Sequence, residues 1–207
     1  MAEAYIVEAV RTAGGRRGGK LAGVHPVDLA AQVLDAVIER SGIPGDAVED
    51  VIMGCVSQGG EQAGQVGRNA VLASKKLAQS TPAVTIDRQC GSSQQALHFA
   101  AATVMSGVMD VVIAAGVESM TRVPMALPFK AALDAGAGTY MSPAMQARYP
   151  GIQFSQFAGA EMIAKKFGFT RATTREPCWT VPSRVMATFR QAVSGRETSS
   201  SRSRMVM

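Results

Sequence analysis

Between Ala83 and Ala115 the chain runs through a short apolar strand, Ala83 to Ile86, a tight turn, a small-residue apolar helix from Gln94 to Met105, and a second strand from Asp110 to Ala115. Strand, helix and strand in such close succession form the unit of a mostly parallel sheet. Val111 to Ala115 shows no polar alternation, as a strand covered on both faces requires. The alternation continues upstream. Ala4 to Val10 reads as a first strand, and the next helix is opened by Pro26 and Asp28. That helix carries Leu29, Val33, Leu34, Val37 and Ile38 on one face, with Gly42 as a cap beyond its end. Val51 to Val56 reads as a strand, SQGGEQAGQVG as a polar loop, and Arg68 to Leu77 as a helix. The expected fold class is α/β, a mostly parallel sheet covered by helices.

The turn after Ile86 carries Cys90 within DRQCGSSQQA. At a helix start the first backbone N–H groups have no intrahelical partner, and the helix dipole adds partial positive charge beside the sulfur. Both effects favour thiolate over thiol, the state a cysteine nucleophile needs. The competing reading makes Cys90 a small packed hydrophobe. The flanking glycine, the paired serines and the helix start favour the nucleophile, and the N–H of Cys90 or its neighbours is the expected donor to a thioester oxyanion.

The decamer resembles the acyl-enzyme motif of the thiolases, which exchange an acyl group between coenzyme A and a nucleophilic cysteine. VEAVRTAGGRRGGKLAG before it and AAGVESMTRVPM after it match other thiolase segments in the same order, and the resemblance runs from about Tyr5 to about Thr170. It implies a thiolase-like fold, N-terminal half, plus the start of an inserted loop domain: residues 1–120 as the α/β domain, 121–170 as a partial loop domain. It also implies coenzyme A thioesters as substrates, no bound cofactor, a homo-oligomer when the protein is full length, and a place in fatty-acid or related β-oxidation. The cysteine helix, small and apolar nearly all round, is expected to be buried, in the family against its counterpart from the second half. The family's activating histidine and second cysteine belong to that other half, so the 207 residues are expected to be truncated and unable to turn over alone.

The two histidines present do not fill the gap. His98 lies eight residues along the helix from Cys90, roughly 12 Å at the helical rise, against a hydrogen-bond reach of about 3 Å. His25 precedes Pro26 and reads as a loop residue. Glu118, in the segment GVESM, is expected to anchor its loop by pairing with a nearby base such as Arg122. Cys55, within a strand, reads as a packed core residue. No cluster has metal-ligand spacing and no paired carboxylates suggest glycosidase chemistry. The Gly- and Arg-rich loop RTAGGRRGGKLAG lacks the spacing of a phosphate-binding loop.

Charge and targeting narrow the partners. Arg171 to Met207 holds seven arginines and two glutamates, which accounts for the whole net charge of +5, and the other fourteen basic and fourteen acidic residues cancel. The body therefore offers no electrostatic footprint for nucleic acid. No apolar run approaches the roughly 20 residues that span a bilayer. The first ten residues, with Glu3 and Glu8, lack the basic start and apolar core of a secretory signal, which points to a reducing cytoplasm. Residues 171–207 show no sustained period. They are expected to be an aberrant Arg/Ser-rich, disordered tail of the kind a reading-frame shift produces, with an arginine-rich interaction tail as the rival.

Two alternatives to the thiolase-type acyltransferase remain. A β-ketoacyl synthase also carries a cysteine on such a turn, but usually frames it as ACSSSL. A non-catalytic fragment or partner subunit of the same fold is the alternative from another class.

Overall fold

The computed structural model describes residues 3–152, 154–170 and 204–206. Two compact units divide the chain, one reaching Thr139 and taking in the C-terminal strand, the other beginning at Tyr140. The expected tail from residue 171 lies outside the described residues, except for the three that form that strand.

The first unit is built on five parallel strands: β1 (Ala4–Ile6), β2 (Asp50–Gly54), β3 (Ala83–Ile86), β4 (Val111–Gly116) and β5 (Arg204–Val206), in the order β1-β5-β4-β2-β3. The helices are α1 (Pro26–Ser41), α2 (Val66–Ala73), α3 (Ser92–Ser106) and α4 (Leu127–Asp134). The two-residue period of a strand sorts the core into two layers. Val51, Met53 and Ile113 face α1 and α2, together with Leu34, Val37, Val66 and Val71. Ile52 and Val112 face α3, where they meet Ala96, Ala100 and Val104. Helices on both faces explain the unbroken apolar run in β4.

Several boundaries shift for identifiable reasons. β1 stops at Ile6 rather than Val10, because its ladder with β5 spans only Ala4, Tyr5 and Ile6. α1 starts at Pro26 as expected, but its N-cap is His25, whose Nδ1 accepts from the Val27 N–H at 3.2 Å. Gly42, at φ 69, closes it in the left-handed conformation. α2 ends at Ala73 instead of Leu77. Asp35 of α1 explains why: its carboxylate accepts from the Ser74 hydroxyl at 2.5 Å and from the Lys75 and Lys76 N–H groups, so the chain leaves the helix there. α3 starts two residues earlier than its apolar stretch, at Ser92.

The second unit holds α5 (Pro143–Arg148) and α6 (Gln156–Phe167). α6 is capped by Ser155, which accepts from the Ala158 N–H, and closed by Gly168 at φ 66.

Candidate active site: the turn between β3 and α3

All strands being parallel, the ends of β2, β3 and β4 that lead into the site lie on one edge of the sheet, the edge where α/β folds place their sites. Cys90 is exposed on that edge, four residues beyond Ile86 and two before the first residue of α3. Two close approaches seat the helix there. A Cβ on Gly54, the last residue of β2, would lie 2.6 Å from the Ser92 carbonyl carbon, and one on Gly116, the last of β4, would lie 2.8 Å from Ser93 Cβ. Only hydrogen side chains let the first turn of α3 rest directly on the strand ends.

The turn itself is tightly strapped. The Gln89 N–H donates to Asp87 Oδ1 at 2.6 Å, the Gly91 N–H to the Arg88 carbonyl at 3.1 Å, and the Ser92 N–H to the Gln89 carbonyl at 3.0 Å. Gln89 adopts φ 48, left-handed backbone that costs a non-glycine residue roughly 1–2 kcal/mol. Such strain persists only where the surroundings over-determine it. Because the Gly91 and Ser92 N–H groups are already engaged, they are not free to meet a developing oxyanion.

Cys55, at the end of β2, is fully buried. Burial, followed by the nearby Glu118 and Asp87 carboxylates, pushes its thiol from 9.0 up to about 12, so it stays protonated and inert. Cys178 lies outside the described residues. His98 is exposed on α3.

The expected pairing of Glu118 with Arg122 is not what the structure contains. Glu118 accepts from the Val56 N–H at 2.8 Å, the Ser57 N–H at 3.2 Å and Gln62 Nε2 at 3.1 Å. Gln62, fully buried, also donates to the Ser57 carbonyl and accepts from the Ser119 N–H at 2.7 Å. The backbone N–H groups just past β2, together with Gln62, take the Glu118 carboxylate in place of Arg122. Arg122 instead clasps Glu61 with two nitrogens at 2.5 and 2.6 Å and donates to the Ala22 carbonyl. That bidentate hydrogen bond holds the Glu61 carboxyl below its usual range. Gln62 was invisible in the sequence: it sits in a polar loop with nothing to set it apart from Gln58 or Gln65.

The cysteine helix departs from its expected burial all round. Ser92, Ala96, Ala100 and Val104 are covered by the sheet, whereas Phe99 and Met105 on its outer side are exposed. Among the described residues, no three His, Cys, Asp or Glu side chains could hold a metal ion, and no helix is long and apolar enough to cross a membrane.

Comparison with known proteins converges on one family. The model of the thiolase N-terminal domain matches residues 4–176. A steroid 3-ketoacyl-CoA thiolase from Mycobacterium tuberculosis is 42% identical over 195 residues, covering 92% of this chain and 47% of that protein. A β-ketoadipyl-CoA thiolase from Acinetobacter baylyi is 36% identical over 197 residues, covering 90% of this chain and 48% of that one. The crystal structure of the Bacillus anthracis acetyl-CoA acetyltransferase superposes with a TM-score of 0.56 at 39% identity, over 60% of this chain and 31% of its own. The chain spans about half the length of the curated relatives it matches. With a domain match over most of its length, a parallel sheet covered by helices, and an exposed cysteine on the β3–α3 turn, the chain belongs to the thiolase family.

Proposed function

We propose that the chain supplies the nucleophile of a thiolase-type acyltransferase, with Cys90 forming a cysteine acyl-enzyme from a coenzyme A thioester. The observation that carries this reading is an exposed thiol at a helix start, while burial keeps the other described thiol, Cys55, inert. The donor we assign to the oxyanion is the N–H of Cys90 itself, since its two neighbours in the turn are engaged. The steroid 3-ketoacyl-CoA and β-ketoadipyl-CoA thiolases have a ketoacyl thioester in common in their names, which supports 3-ketoacyl-CoA as the substrate class and β-oxidation as the setting. The cytoplasm is the proposed location and a homo-oligomer the proposed state of the full-length protein.

Chemistry beyond the nucleophile must come from outside these residues. The chain holds only His25, which caps α1 and faces Glu61, and His98, exposed on α3. General acid–base assistance contributes typically 10²–10⁴-fold, so the purified 207-residue chain should become acylated without steady turnover. Incubation with acetyl-coenzyme A followed by peptide mapping should place an acetyl group on Cys90 and not on Cys55. Cleavage of acetoacetyl-coenzyme A should not rise above that of a Cys90→Ser control. Steady turnover well above the control would show that bases within the chain suffice. Absence of any adduct would favour the non-catalytic partner reading, which the exposed Phe99 and Met105 of α3 also suit.

A further inference from the structure

We propose that Ser92 is the positioning residue of the nucleophile turn, its buried hydroxyl holding the Arg88–Gln89 backbone in the shape that presents Cys90. Residues Asp87 to Cys90 are all exposed, yet Ser92 beneath them is only 4% exposed. Its oxygen accepts from the Arg88 N–H at 2.9 Å and its single proton goes to the Gln89 carbonyl at 2.6 Å, with Asp87 Oδ1 more distant at 3.5 Å. One hydroxyl thus grips both sides of the Arg88–Gln89 pair from below, where water does not compete. Gln89 is one of only three non-glycine residues with positive φ among the described residues. Without the hydroxyl the turn loses two of the bonds that hold Gln89 at positive φ, and any relaxation there turns the following peptide, which carries Cys90. Asp87 contributes a second strap through the Gln89 N–H, but from an exposed position.

This inference rests on the reading of Cys90 as the nucleophile, and its test needs no acyl donor, so the two can fail separately. The rate of Cys90 modification by iodoacetamide is measured by peptide mapping in the natural chain, in Ser92→Ala and in Ser92→Thr, alongside amide hydrogen exchange at Arg88. In Ser92→Ala the Cys90 rate should fall at least about fivefold, the net worth of one of the two hydrogen bonds lost. The Arg88 amide should lose protection while the amides of β2 and β4 keep theirs, and Ser92→Thr, which retains the hydroxyl, should restore both. Unchanged Cys90 rate in a folded Ser92→Ala chain overturns the proposal. If that variant does not fold, the natural chain decides: an Arg88 amide exchanging as fast as an unprotected peptide overturns it too. Should acetyl-coenzyme A leave Cys90 unmodified while these results hold, the nucleophile reading fails and the positioning role stands.

Discussion

Helices α1 and α6 are built alike and end up differently. Each starts at a side-chain N-cap, His25 or Ser155, and each stops at a left-handed glycine, Gly42 or Gly168. α1 buries Pro26, Ala30, Ala31, Leu34, Val37 and Ile38. α6 buries nothing, and leaves Phe157 71% and Met162 70% exposed. Caps and periodicity are enough to specify a helix. Whether its apolar stripe is covered depends on partners that no local pattern encodes.

The contrast can be broken most directly by truncation. Leu34→Ala removes a fully buried side chain from the first unit and should cost about 2–5 kcal/mol, through lost transfer energy and the cavity left behind. The matching Met162→Ala in α6 should move the denaturation midpoint hardly at all. Equal losses, measured by urea titration, would mean that α6 is covered in solution.

Glycine replacements sharpen it further and predict opposite signs. Gly54→Ala would drive a Cβ into the backbone of Ser92 and Ser93, and should destabilise by about 3 kcal/mol, the upper end of overpacking costs. Gly159, inside α6, has nothing within 4 Å of where a Cβ would stand. Gly159→Ala should therefore stabilise that helix by about 0.5–1 kcal/mol, readable as added helical signal and slower amide exchange in α6. Destabilisation at Gly159 would reveal a close neighbour there.

A last effect is confined to alkali and to the first unit. Cys55 titrates near 9.0 when unfolded and near 12 when folded, so between those values the unfolded state binds fewer protons and stability falls as pH rises. Its contribution is complete below about pH 9 and lost as pH passes through about 12. Stability measured from pH 8 to 11 should slope downward in the natural chain and less so in Cys55→Ser. Parallel slopes would mean that the thiol is hydrated in the folded protein.

The alternation of strands and helices from Ala4 to Ala115 was legible because each element carries its own apolar period, and Cys90 stood out because a strand, a glycine and a helix start are all local. What was not legible depends on contacts between distant positions. The end of α2 is set by Asp35, some forty residues upstream of Ser74 to Lys76. Glu118 was read correctly as an anchor but given the wrong partner, since Val56, Ser57 and Gln62 become its neighbours only once β2 and β4 lie side by side. β1 was read too long for a similar reason: the apolar run through Val10 continues, but the strand it pairs with does not.

Cys55 also makes the first unit its own stopwatch. A thiol sealed at the end of β2 can meet a reagent such as a disulfide dye only during the brief intervals when that end of the sheet comes apart. Once Cys90 has reacted in the dead time, the slow phase assigned to Cys55 by mapping counts those openings, with neither denaturant nor label added beforehand. Where reclosing outpaces the dye, its rate rises with dye concentration and gives the free energy of opening; where it does not, the rate levels off at the opening rate itself. One buried sulfur thereby reports, at any temperature chosen, how firmly the floor beneath the nucleophile is held.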